Sequence, residues 1–328
     1  MAKIDNAKSA EVSSAVRRHS LRTKITEAEA CEALQRSGYL LEHRVETLLR
    51  RKGWYVEANS AYEDNETQKS RELDIYALTG HRIGKEHPDD RLFTSVLVEC
   101  VNNLQPIAFI TKMPVMKAWA VGDIKGTFDP EDVVADGRTV NIGDLLKIDS
   151  YHHYCRGRVA TQFCSFNYKS DKKEWMAWHD DIHFNAFSTL TKALEYRFTQ
   201  FEQHAGTYVN WEFINPVLVV QGELLDVRAA SGAITLRKAQ HIKYRRTVVW
   251  KGQERGYTFD VVTERRLPRF IAMLETEIKQ TSIRVNRHLS LIKEALRAKY
   301  PSTDSKNPIG EILKGLRTGV ITLESPKA

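Results

Sequence analysis

Two strand-length apolar runs that each carry one acid constrain this chain most. They are Leu73-Asp-Ile-Tyr-Ala-Leu78 and Ser95-Val-Leu-Val-Glu-Cys-Val101, with Asp74 in the first and Glu99 in the second. Valine, isoleucine and tyrosine favour pleated, half-buried backbone, so both runs are expected as strands. Side chains alternate along a strand, which puts Leu97, Glu99 and Val101 on one face and Val96, Val98 and Cys100 on the other. A carboxylate in such a run is costly to bury unless it is paired or holds a cation. Two bland readings stand beside that one: Asp74 pairs with Arg71 or a nearby lysine, and Glu99 lies on a solvated edge strand. Two acids on successive strands, with Glu42 before them, favour a shared site.

The surrounding pattern alternates helix and strand. Thr26 and Glu29 have the spacing of a capping box, opening a helix that ends at Gly38. A second helix runs from Tyr39 to Lys52 and stops at Gly53; Leu41, Val45, Leu48 and Leu49 make its apolar stripe. On that wheel Glu42 borders the stripe, and Glu46 lies further toward solvent. Strands are expected at Trp54–Ala58, Leu73–Leu78 and Phe93–Val101, with a long polar loop from Thr79 to Arg91. Residues 102–180 are weakly patterned, with candidate strands at Ile107–Thr111, Val159–Phe166 and Glu174–Trp178. A helix at Phe184–Phe201, a strand at Pro216–Val220, a hairpin joining Ile242–Trp250 to Tyr257–Val262, and helix after Pro268 complete the pattern. The expected division is a basic arm (1–24), one α/β domain (25–300) with a large insertion at about 102–180, and a tail (301–328).

Charge points toward a polyanionic partner. The chain carries a net +7 and a pI near 9.1, with basic groups at Arg50-Arg51-Lys52, Lys172-Lys173, Arg245-Arg246 and Arg265-Arg266. Such clusters suit phosphate contacts, and a nucleic acid is the expected partner. No apolar run reaches the roughly 20 residues a membrane span needs. The N-terminus shows no secretory pattern, and four scattered cysteines argue for reduced thiols, so a cytoplasmic protein is expected.

Tyr39-Leu-Leu-Glu42, Lys52-Gly-Trp-Tyr-Val56, Glu72-Leu-Asp74-Ile-Tyr76 and Val98-Glu99-Cys-Val-Asn-Asn103 together resemble the PD-(D/E)XK nuclease superfamily, in its Mrr-like, restriction-endonuclease-like branch. The resemblance covers about residues 37–112. It implies a restriction-endonuclease-like α/β core (helix, three-strand mixed sheet, helix, strand) with the insertion and a C-terminal hairpin-plus-helix extension. It implies Mg²⁺ or Mn²⁺ held by Asp74, Glu99 and the Cys100 carbonyl, with Glu42 holding metal-bound water. The implied activity is metal-dependent hydrolysis of DNA phosphodiester bonds, in restriction, repair or antiviral defence, by a homodimer or with a partner subunit.

One position departs from the pattern: Val101 stands where the motif has lysine. The lysine has moved, to Lys112 or Lys69; or the fold is catalytically silent and serves as a DNA-binding or assembly subunit; or metal alone drives weak cutting. Lys112 is taken as the candidate catalytic lysine.

His152, His153, Cys155, Cys164, His179 and His183 form a second cluster; its cysteines lack the spacing of a zinc finger, and its histidines are expected on the surface near a helix start. Trp175, Trp178, Tyr151 and Tyr154 are expected to pack in the core or a hairpin rather than to stack on bases.

Overall fold

A computed structural model of the chain describes residues 24–300, except 86, 104, 115, 116, 129, 179, 180, 201–207, 231 and 251. The basic arm, His179 and the tail lie outside the described residues.

Helix α1 (Glu27–Arg36) opens with the expected capping box: the Thr26 side chain accepts from the Glu29 amide, and Glu29 reaches back to the Thr26 amide. Helix α2 (Tyr39–Arg51) closes in a Schellman turn. Gly53, at φ +80°, donates to the Arg50 carbonyl, and Trp54 donates to the Leu49 carbonyl. Only glycine adopts that φ without strain.

Strands β1 (Tyr55–Glu63), β2 (Ser70–Arg82) and β3 (Arg91–Val101) form an antiparallel meander longer than the sequence indicates, because β2 and β3 extend into the expected loop. Then follow β4 (Ile107–Lys112), α3 (Lys117–Gly122), β5 (Lys125–Thr127), the small β6 (Asp132–Ala135) and β7 (Arg138–Asn141) hairpin, and α4 (Ile142–Leu145). After these come β8 (Val159–Lys169), β9 (Glu174–Trp178), α5 (Asp181–Gln200) and β10 (Asn210–Val220). The last part holds β11 (Leu224–Ala230), β12 (Ala233–Ala239), β13 (His241–Trp250), β14 (Gln253–Thr263), α6 (Leu267–Arg287) and α7 (Leu289–Lys299).

The expected mixed α/β class is what the structure shows. A 12-stranded sheet runs β1-β2-β3-β10-β14-β13-β8-β4-β11-β12, with β5 beside β10 and β9 beside β8. After the meander the chain crosses over through α5, and β10 lies parallel to β3, from Asn210 opposite Arg91 to Val220 opposite Val101. Strand β10 is buried along almost its whole length, as a parallel strand covered on both faces must be. One face packs Val96, Val98, Ile75 and Val217 under Leu41, Val45 and Leu49 of α2 and Phe270 and Leu274 of α6. The other packs Leu97, Val101, Ile214 and Leu218 under Phe187, Leu190 and Leu194 of α5. Residues 102–180 send β4, β5, β8 and β9 into this same sheet. No helix among the described residues is long and apolar enough to cross a membrane.

Candidate functional site

The β2–β3 ladder runs from Arg82 opposite Arg91 to Ile75 opposite Val98. One step further the register places Asp74 opposite Glu99, and there the strands part. The Cys100 amide, freed from the ladder, donates to Asp74 Oδ2 at 2.7 Å. The carboxylate thus satisfies a backbone donor that the opening would otherwise leave alone. On its other side β3 pairs with β10, Glu99 opposite Leu218, so Glu99 is on a central strand and not a solvated edge. Asp74 is not paired with Arg71, which binds Asp64 instead at 3.1 Å.

Glu42 arrives from α2. A cleft of about 170 Å³ is lined by Tyr39, Glu42, His43, Asn59 and Asp74 among others. A Cβ built on Gly38 would stand 3.4 Å from Glu42 Oε1 and 3.9 Å from the Cys100 carbonyl oxygen, so both oxygens face one small space. Asn59, which the β1–β2 register sets opposite Asp74, adopts φ +51°. Asparagine tolerates the left-handed region better than most side chains, which lets the β1 backbone turn at this position.

The three acids interact without a counter-charge. Burial, then the Asp74 charge, raises Glu42. Burial raises Asp74 against the lowering hydrogen bond from Cys100. Glu99 is pushed up to about 9, by burial first and by Asp74 next. Its Oε1 is fully shielded and has no hydrogen-bond partner among the described residues. Glu42, Asp74 and Glu99 are half-buried. The fully buried acids of the described residues all have an ion-pair partner: Asp64 with Lys192, Asp90 with Lys293, Asp123 with Arg245, Glu195 with Arg255, Glu212 with Arg197, and Asp260 with His153. Among the described residues, none of the three site acids has one. Arg44, two residues beyond Glu42 on α2, is engaged by Glu264.

Stability should therefore depend on pH at this site. The folded value of Glu99 lies above its ordinary 4.5, so the unfolded chain releases that proton first as pH rises. Stability from this group is greatest below about pH 4.5 and declines up to about pH 9. In chelator, melting temperature is expected to fall from pH 6 to 9, and Glu99→Gln is expected to flatten that fall. An equal slope in parent and variant would contradict the shift.

The structure does not bring Lys112 to these acids. Lys112 is exposed at the end of β4, opposite Val159 of β8. Strands β10, β14, β13 and β8 stand between β3 and β4 in the sheet, because β4 pairs with β8 and β11 rather than with β3. Lys69 precedes β2, five residues before Asp74, and is exposed. Val101 is buried in the cluster under α5 with Tyr62, Leu73 and Leu97. His43 and Asn59 line the cleft and were not singled out from sequence; neither carries a spacing signal.

The histidines differ from expectation too. His152, His153 and His183 are buried. His153 is bracketed: Nδ1 lies 2.8 Å from Glu277 Oε2 of α6, and Nε2 lies 3.1 Å from Asp260 Oδ2 of β14. His241 also binds Asp260, at 2.7 Å. Burial alone would lower His153, but Asp260 and Glu277 override it and hold the ring up to about 9. Burial, then the neighbouring His153 charge, keeps His152 well below its ordinary value. Ligand atoms of His152, His153 and Glu277 lie within 4.8 Å of one another, a spacing at which a metal could be held. Both His153 nitrogens are already engaged, however, and the group works as an ionic lock between α6 and the sheet. Cys155 and Cys164 are free thiols, and His183 Nδ1 meets Ser165 at 3.2 Å.

Comparison with known proteins adds no relative to this picture: no protein-family model matches the chain, nor does any curated protein or solved structure.

Proposed function

We propose that the chain is a metal-dependent nuclease hydrolysing DNA phosphodiester bonds, built on a restriction-endonuclease-like core of α2, β1–β3, α5 and β10. The carrying observation is the convergence of the half-buried Glu42, Asp74 and Glu99 without a counter-charge among the described residues, beside one Glu99 oxygen that is shielded and unpartnered. A buried, unpartnered carboxylate oxygen is costly, and a divalent cation removes that cost. The donors are all oxygens, which fits Mg²⁺ or Mn²⁺ rather than a softer ion.

Asp74 and Glu99, with the Cys100 carbonyl, would hold the ion. When bound, such an ion polarises a phosphate and lowers the pKa of an attacking water. Asp74 is oriented by the Cys100 amide, and Glu99 is fixed on a strand packed from both sides. Glu42, raised toward neutrality by burial and by Asp74, is placed to accept a hydrogen bond or a proton from water in the cleft. His43 on the wall of that cleft is exposed and able to approach a bound phosphate.

The buried Val101 favours one second reading, a silent nuclease fold that binds DNA without cutting. Val101→Lys separates the two. The new ammonium would share the Glu99 face, so cleavage is expected to rise about 10- to 100-fold, while overpacking costs about 1–3 kcal/mol. Gel assays of plasmid cutting with Mg²⁺ or Mn²⁺ and thermal melts measure both. Cutting by the variant alone would assign the parent to the silent reading. No cutting by either would remove the nuclease proposal.

A further inference from the structure

Beyond Ser165, which pairs with Ile107 of β4 on one side and Trp178 of β9 on the other, β8 continues to Lys169 with only β9 beside it. This two-stranded ribbon stands out from the sheet by four to five residues, about 15 Å at strand rise. Both of its faces meet solvent. Tyr168 and Trp175 pair across one face, ring centroids 5.3 Å apart, and are 47% and 57% exposed. Met176 and Trp178 occupy the other, with Trp178 51% exposed. The aromatics at 175 and 178 therefore do not pack in the core, whereas Tyr151 and Tyr154 do.

Large exposed apolar groups on a projecting ribbon mark an interaction surface. Its chemistry selects the partner. The turn carries Lys169, Lys172 and Lys173 against Asp171 and Glu174. One of the ribbon's rings has a cation over it, Lys169 Nζ 5.2 Å from the Trp178 ring, and in the helix α5 that follows the Arg246 guanidinium is 4.2 Å from Phe184. Lysine is depleted from the cores of protein–protein interfaces, while aromatic rings interleaved with cations fit bases and phosphates. A two-stranded ribbon also has the width of the DNA major groove.

The ribbon is tied to the acids by one helix. Phe184 opens α5, and Thr189, five residues on (about 8 Å at helical rise), accepts from the Tyr62 hydroxyl. Tyr62 in turn packs in the cluster under α5 that holds Leu97 and Val101, the residues on either side of Glu99 along its face of β3.

We propose that the β8–β9 ribbon is a DNA-contacting arm, its lysines on phosphates and its aromatic side chains against the groove or an unstacked base. The inference rests on the DNA-directed reading above. The test uses the full chain in chelator, so that binding is read without cutting, with a fluorescent 20-base-pair duplex at several salt concentrations. Lys172→Glu/Lys173→Glu is expected to weaken binding at least tenfold and to lower the salt slope by about 2. Trp175→Ala/Trp178→Ala is expected to weaken it about tenfold with the slope unchanged. Light scattering is expected to show the parent's oligomeric state in both variants. If the parent binds and both variants bind equally well, the ribbon proposal fails alone. If the variants change oligomeric state while binding is kept, the arm joins copies of this chain and the proposal is overturned. If the parent binds no DNA, the DNA-directed reading fails with it.

Discussion

Asp74→Asn and Glu99→Gln are each expected to lower metal-dependent cleavage by about 10³-fold or more, since each removes a charged oxygen from the cation site. The two variants should differ in stability. Asp74 accepts the Cys100 amide, which asparagine still satisfies through its carbonyl, so melting temperature should hardly move. Glu99 has one shielded, unpartnered carboxyl oxygen and a value raised by burial and by Asp74 against a lowering hydrogen bond from the Asp74 backbone, and its neutral isostere relieves the cost of that raised value. Glu99→Gln is therefore expected to stabilise the metal-free protein by about 1 kcal/mol, ~2–4 °C in melting temperature. A site kept for chemistry at the expense of stability shows that opposition; a structural acid shows loss of stability. If Glu99→Gln unfolds the protein, Glu99 has a structural partner and the cation site is misplaced.

His153→Ala is expected to have the largest effect on folding. The imidazolium bridges Glu277 and Asp260, and its removal leaves the half-buried Glu277 without that partner and the buried Asp260 with His241 alone. Removing one partner of a buried ion pair costs about 3–5 kcal/mol, because the other charge stays desolvated. The pH dependence follows from the raised folded value of about 9. The unfolded histidine titrates near 6.5, so the contribution is fully present below that pH and lost as pH rises through about 9. Urea unfolding of parent and variant is expected to show the full difference at pH 6 and a smaller one at pH 9.5. A gap that did not narrow would mean the ring is neutral in the fold. Nuclease activity, where the variant folds, is expected to survive, since the lock touches none of the three site acids.

What could be read from the sequence was local. Alternation at 73–78 and 95–101 places Asp74 and Glu99 on strands, and the Thr26–Glu29 spacing and Gly53 delimit the first two helices, because each depends on neighbours a few residues away. The failures are non-local. Lys112 follows Glu99 by only 13 positions, yet pairing with β8 and β11 carries it away across the sheet. His153 meets Glu277 across a separation of 124 residues, which no spacing rule reports. The hairpin of β11 and β12 was within reach: Gly232, at φ +86°, turns two alternating runs, but their polar residues hid the period. The exposed ribbon went unrecognised because tryptophan is more often buried than displayed, and only the missing neighbour strand beyond Ser165 exposes it.

Whether Glu42, Asp74 and Glu99 form a cation site for phosphodiester hydrolysis is decided by plasmid cleavage in Mn²⁺ by the parent and Asp74→Asn side by side, with chelator as control. Metal-dependent nicking or linearisation by the parent is expected, and none by the variant. Equal cutting by both, or none by the parent under any divalent cation, would contradict it.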